Sequence, residues 1–367
     1  MKKLLFIGLV LMSFTAISQL TVAPNGGNKK AWVGERIGLT DVTIEYNRPA
    51  VKGREGNIYG KLVPHGLNDL GFGTSKAAPW RAGANENTII SFTDEVKING
   101  NTLPAGKYGF FVISDSNECT LIFSKNSSSW GSYFYDDKED ALRVKVKPMM
   151  ESTSSEWLKF EFTNQKTNSA AVNLVWEKWR LPFTVEVDLH KIQMESFRRE
   201  LRSDKAFTWN AFNQAAGYTL TNNIELEQGL QWAENAISLP FIGQPNFNTL
   251  STKAQILTKL DRSAEADVLM KKALPMGTMD EVHNYARQLL AAKKGKAAYD
   301  VFKMNYDKNP GLFTTNMGLA RGYSAIGDYK KALEFVNKAL LQAPDPGNKV
   351  AIEKYQVMLK EGKDINN

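Results

Sequence analysis

A chain of 367 residues with 43% hydrophobic and 23% charged residues is long enough to bury two cores, which excludes a largely disordered polypeptide. Its formal charge of +7 is spread as single residues and pairs such as Lys271-Lys272 and Lys293-Lys294, with acidic groups between them, and this speaks against a nucleic-acid surface. The single cysteine, Cys119, excludes an intrachain disulfide.

Lys2-Lys3, the apolar run Leu4 to Phe14 and the small residues Ala16 and Ser18 read as a secretory signal peptide over residues 1–18. That run is too short for a permanent anchor, no later window is uninterruptedly apolar, and no cysteine stands at the cleavage point to accept a lipid. Loss of Lys2 and Lys3 takes the charge from +7 to +5. The mature protein is expected to be periplasmic or secreted, soluble, and without stable membrane insertion.

From Gln19 onward short apolar segments alternate with glycine and asparagine, and Val42, Ile44 and Tyr46 alternate with polar neighbours, which predicts an early strand. The glycines and prolines between Pro49 and Pro79 predict loop. Strands follow at Ile89 to Phe92 and Val96 to Ile98, where Asn99-Gly100 is a hairpin signal because both residues tolerate positive φ. Tyr108 to Ile113 and Cys119 to Ser124 come next. Alternation continues around Val144, Phe160, Leu174 and Val185, read here as four further strands. Period-two runs punctuated by turns predict antiparallel sheets packed face to face, a sandwich or jelly-roll-like domain over residues 19–188.

At His190 the period changes, and residues 189–206 are predicted to be a linking helix. Beyond it the chain is self-similar: Ala286 and Ala320, Leu289 and Tyr323, Ala298 and Ala332, and Pro310 and Pro344 are each thirty-four residues apart. The unit NMGLARGYSAIGDYKKALEFVNKALLQAPDP resembles a tetratricopeptide repeat at Leu319, Ala320, Tyr323, Gly327-Asp328-Tyr329, Ala332, Ala339 and Pro344. Weaker units precede it at 284–310, with Asn305 where alanine is usual, at 252–277, and at 213–239, the last set apart by the insertion Pro240 to Asn248. Val350 to Leu359 reads as a capping helix. A tetratricopeptide-like α-solenoid is therefore expected over residues 207–361.

Arg81-Ala-Gly-Ala-Asn-Glu-Asn-Thr88, Leu103-Pro-Ala-Gly-Lys-Tyr-Gly109, Leu142-Arg-Val-Lys-Val-Lys-Pro148 and Leu174-Val-Trp-Glu177 together resemble a secreted bacterial family known only as domain of unknown function 2911. The resemblance covers about Gln19 to Asp188. It implies an exported β-rich domain, often followed by helical repeats, with no assigned activity.

The densely polar stretch Arg81 to Thr88 has two readings. Arg81, Asn85, Glu86 and Asn87 offer a forked donor and several hydrogen-bonding groups to a ligand, or they satisfy the backbone of a tight loop. Trp130 and Tyr133 suit stacking on a small ligand, a glycan or a peptide, and equally suit packing over a core. Asp136, Asp137, Glu139 and Asp140 lack a calcium-loop pattern, and His65, His190 and His283 begin no metal-ligand spacing, so no metal and no cofactor is expected. No nucleophile elbow, phosphate loop or paired-carboxylate pattern is present.

The expected function is that of an exported, non-catalytic binding or scaffold protein. Its helical repeats would hold a peptide or protein partner, and its β domain would bind a ligand near Arg81, Asn85, Glu86, Asn87, Trp130 and Tyr133 or cap the repeats. The alternative is a hydrolase or carbohydrate-active β domain using Glu86 with Arg81 or His65.

Overall fold

The structure is a computed structural model that describes residues 27–367, so the expected signal peptide lies outside the described residues. The chain divides into two units, one ending at Met194 and the next beginning at Glu195.

The first unit holds strands β1 (Lys29–Ile37), β2 (Thr40–Arg48), β3 (Thr88–Phe92), β4 (Val96–Ile98), β5 (Asn101–Leu103), β6 (Gly106–Ile113), β7 (Cys119–Ser124), β8 (Asp140–Val146), β9 (Met149–Thr163) and β10 (Ser169–Val187). They form an antiparallel sheet of order β1-β2-β3-β6-β7-β8 and a second of order β5-β4-β10-β9. Neither closes into a barrel. The inward residues of both sheets make one core, and it is aromatic across the gap: Phe110 meets Phe160 at 5.9 Å and Phe183 at 5.7 Å, and Phe123 meets Phe183 at 5.8 Å between ring centroids. Sheets packed on one another in this way are a β-sandwich.

Local chemistry explains the tightest hairpin. Asn99 and Gly100 take φ of 47° and 83°, giving the hairpin between β4 and β5 its left-handed turn. β1 is an additional strand; Ala31, Val33 and the buried Ile37 mark its covered side, and its other face carries Lys30, Trp32 and Arg36 to solvent. A larger difference concerns the last two predicted strands, around Leu174 and Val185, which are one nineteen-residue strand. β10 pairs with β9 from Ala171 to Arg180 and then with β4 from Val185 to Val187. No turn divides it: the register shifts around Glu177, whose φ is 53°, within the stretch paired with β9, and β4 lies on the other edge of β10 farther along the same strand. Between Trp176 and Leu181 there is no turn dipeptide to mark this.

The segment between β2 and β3 contains no strand. It still contributes Val51, Ile58, Val63 and Ala82 to the core, so it is anchored along its length. One end of the sandwich is filled by rings: Tyr59 stacks on Trp179 at 4.0 Å and 8°, and Trp80 lies nearly parallel to Trp176 at 6.0 Å.

Helices follow in sequence: α1 (Leu189–Glu200), which spans the division between the units, then α2 (Trp209–Asn222), α3 (Leu226–Ser238), α4 (Phe247–Lys259), α5 (Ser263–Ala273), α6 (Met279–Ala291), α7 (Gly295–Lys308), α8 (Phe313–Ala325), α9 (Tyr329–Leu340) and α10 (Pro346–Lys360). From α2 to α10 successive helices pack on one another as antiparallel hairpins, except that α5 passes to α6 through the short turn Leu274–Met276 without packing closely on it, and α10 ends the stack. Within three pairs an alanine on each helix is fully or almost fully buried: Ala254 with Ala266, Ala286 with Ala298, and Ala320 with Ala332. Small side chains there let the helices approach closely. Starts are fixed by side-chain caps at Thr208, Asn246, Thr278, Asp328 and Asp345, each accepting from a backbone N–H of the first turn. The departure at Asn305 has a structural use: the residue is buried and its Nδ2 donates to the Met279 carbonyl at 2.8 Å, tying α7 to the start of α6. Among the described residues no helix is long and apolar enough to cross a membrane.

Candidate functional site

The sandwich unit separates the six polar and aromatic residues singled out by sequence into two groups. Arg81, Trp130 and Tyr133 form a clasp. The guanidinium donates from Nη1 to the Asn85 carbonyl at 2.8 Å, and its carbon lies 5.6 Å from the Trp130 ring centroid and 5.2 Å from that of Tyr133. Gly131, at φ 74°, makes room for it, since a Cβ there would stand 2.7 Å from Arg81 Cζ. Asn85 belongs to the clasp through its carbonyl. This is the internal-pairing reading of Arg81.

Glu86 and Asn87 belong instead to a small polar cavity of about 120 Å³, lined also by Lys30, Glu45, Asn47 and Ser127 to Ser129. Glu86 is exposed and accepts from Asn47 Nδ2 at 2.7 Å. Lys30 pairs with Glu45, and this hydrogen bond raises the lysine pKa and lowers that of the carboxyl. Asn87 is 3% exposed, and its Nδ2 has no hydrogen-bond partner among the described residues. Outside the cavity, Phe72 meets Tyr133 and Phe134 edge to face, continuing the aromatic surface of Trp130.

The hydrolase alternative needs Glu86 beside Arg81 or His65. His65 keeps other company: its Nδ1 lies 3.2 Å from Ser114 Oγ and its ring stacks on Trp179 at 6.2 Å. No hydrogen bond or ion pair joins Glu86, Arg81 and His65 among the described residues. Cys119 is buried in β7, with its thiol donating to the Asp115 carbonyl and burial holding its pKa above the ordinary thiol value.

In the helical unit, a groove of about 290 Å³ opens along α6, α8 and α10, the first helices of successive pairs. Its lining has the period of the repeat. Asp280, Thr314 and Asn348 are thirty-four residues apart, as are His283, Met317 and Ala351, and Arg287, Arg321 and Tyr355, so the wall consists of three rungs crossing the helices. Phe313 and Ile352 complete an apolar floor with Met317. Arg321 donates to the Tyr355 hydroxyl at 3.1 Å and lies over its ring at 5.2 Å, while Arg287 is exposed and pairs with no side chain among the described residues. His283 rests against Phe302 at 5.2 Å, and its buried Nδ1 has no hydrogen-bond partner among the described residues. Burial first, then the charges of Arg321 and Arg287, push its pKa down to about 4. Reading the sequence placed a partner on the helical repeats without naming a lining residue. The thirty-four-residue spacing that identified the repeat also generates these rungs and was the available signal.

A second cavity in this unit, about 580 Å³, lies among α4, α5, α6 and α7 and is lined by Ala254, Met270, Leu274, Tyr285 and Leu289 among others.

Residues 28–185 match the family described as "Protein of unknown function (DUF2911)". No curated protein matches the chain. Solved structures similar to it include YrrB, titled a TPR protein with an unusual peptide-binding site, at 16% identity over 47% of this chain and 88% of that one, with a TM-score of 0.31. TTC0263, a thermophilic TPR protein of Thermus thermophilus, is 14% identical over 46% of this chain and 91% of its own, TM-score 0.31. MamA AMB-1 is 12% identical over 42% and 81%, TM-score 0.29. The β-sandwich segment 28–185 is therefore what matches the DUF2911 family model, and the helix pairs that follow have the thirty-four-residue spacing of tetratricopeptide-like repeats.

Proposed function

We propose that this chain is a non-catalytic binding or scaffold protein, exported through the signal read at residues 1–18, whose helical repeats hold an extended peptide or a peptide segment of a partner protein. The observation that supports this reading most directly is the groove along α6, α8 and α10, with its apolar floor at Phe313, Met317 and Ile352 between polar rungs. A channel of this mixed chemistry suits a chain whose alternate side chains need different surroundings. A second, smaller role is proposed for the sandwich unit: Glu86, Asn87 and the cavity they line, with the clasp of Arg81, Asn85, Trp130 and Tyr133 beside them in sequence, would receive a small polar ligand or glycan. The orphaned, buried Nδ2 of Asn87 supports it.

Selection of peptides from a random library on the full-length chain tests the main reading. Selected peptides are expected to lose binding when Met317→Glu places a carboxylate on the groove floor, and to keep it in Trp130→Ala. Peptides that bind Met317→Glu as well as the unmodified chain would place the partner site elsewhere.

A further inference from the structure

The rung of Arg287, Arg321 and Tyr355 has a charge that the groove does not balance. Arg287 has no counter-ion among the described residues, and Arg321 is held by a neutral phenol. The one carboxylate in the lining, Asp280, lies on the first rung, two helical turns from Arg287 and so about 10 Å away along α6. His283 stands between them. Its Nδ1 is buried without a hydrogen-bond partner among the described residues, although the ring lines the groove. Two guanidinium groups on neighbouring helices, with an imidazole below them, form a row of donors across the groove rather than a pocket at its end.

We propose that the groove selects acidic peptides: an extended segment crosses the helices with side-chain carboxylates facing Arg287 and Arg321, and with apolar side chains turned to Met317 and Ile352. This rests on the peptide reading above and adds the chemistry of the partner. Neighbouring packed helices are about 8–10 Å apart. Carboxylates two residues apart on an extended strand are separated by roughly 6.7 Å, a mismatch that long arginine side chains span. Arginine suits the task because its fork meets a carboxylate with two parallel hydrogen bonds. Tyr355 acts through Arg321 and is a positioning residue. Side-chain carboxylates, not a chain terminus, are the expected ligands because the donors form a rung that a crossing chain passes over.

Fluorescence anisotropy with the full-length chain and labelled decapeptides, acetylated and amidated at their ends, tests the proposal. One peptide alternates Glu with Leu, a second replaces each Glu by Gln, and a third has the Gln sequence with a free terminal carboxylate. Only the first is expected to bind well. Arg287→Gln and Arg321→Gln are each expected to weaken it about tenfold, with Arg287→Lys recovering part of the loss, and affinity should fall as salt rises. Equal binding of the Glu and Gln peptides, or preference for the free terminus, overturns the proposal. If the Gln peptide binds equally and Met317→Glu still abolishes binding, the peptide reading survives and only the acidic selectivity falls. If library selection also yields no groove-dependent peptide, both fall.

Discussion

Trp176→Ala is expected to cost the sandwich unit about 3–5 kcal/mol. Trp176 is 1% exposed and is the largest fully buried side chain among the described residues. It stacks on Trp80, whose Nε1 donates to the Gly83 carbonyl at 3.2 Å, and it meets Tyr59 edge-on at 6.3 Å. The substitution therefore opens a cavity where β10, the loop after β2 and the polar loop at Arg81 to Thr88 are joined. Trp176→Phe separates packing from polarity. The Trp176 Nε1 has no hydrogen-bond partner among the described residues, so replacing the indole removes an unsatisfied donor along with some volume, and the loss should be no more than about half that of alanine. Urea unfolding followed by near-ultraviolet circular dichroism measures both. Equal midpoints for the alanine variant and the unmodified chain would show that the aromatic cluster is not a packing centre.

The second large effect is one of pH. His283 titrates near 4 in the folded chain because it is buried beside two guanidinium groups, against about 6.5 when unfolded. Above pH 6.5 the imidazole is neutral in both states and contributes no pH dependence. As pH falls below 6.5 the unfolded chain binds a proton that the folded chain refuses, so stability falls until about pH 4 and then levels off. The full shift corresponds to about 3 kcal/mol, and partial solvent access to the ring reduces that to about 2. His283→Leu keeps an apolar contact for Phe302 and removes the titration. The stability difference between the unmodified chain and this variant should change by about 1.5 kcal/mol between pH 7 and pH 4.5. A difference independent of pH in that window would contradict the buried, neutral imidazole.

How much of this was legible in the sequence depended on the range of the interaction. Period-two alternation marked β2, β8 and β9, where one face is drier than the other, while β3, β6 and β7 read as short apolar runs between turns, β6 and β7 being buried on both faces. The Asn99-Gly100 turn was legible because its φ values follow from the two residues alone. β1 was harder, since its alternation sets Ala31, Val33 and Ile37 against an exposed, apolar Trp32. The unbroken course of β10 was not legible, because its two alternating runs are joined through an irregularity at Glu177 that no residue preference announces. The helical stack was legible down to its register, and the register already contained the groove: Arg287, Arg321 and Tyr355 follow from counting thirty-four residues.

The polar loop shows the opposite limit. Its residues were recognised, but whether Arg81 faces a ligand or a neighbour depends on Trp130, Gly131 and Tyr133, about fifty residues away, and on the left-handed φ of 74° at Gly131. The ring cluster is similar. Tyr59, Trp80, Trp176 and Trp179 are brought together by the sandwich, and nothing local in the sequence pairs them.

Hydrogen–deuterium exchange on the full-length chain, with and without a library-selected peptide, tests the central claim most directly. The account predicts slowed exchange at residues 280–287, 313–321 and 348–355, with the loops at 81–88 and 127–135 unchanged. Protection confined to those loops, or spread over the outer helices α7 and α9 and absent from α6, α8 and α10, would contradict it.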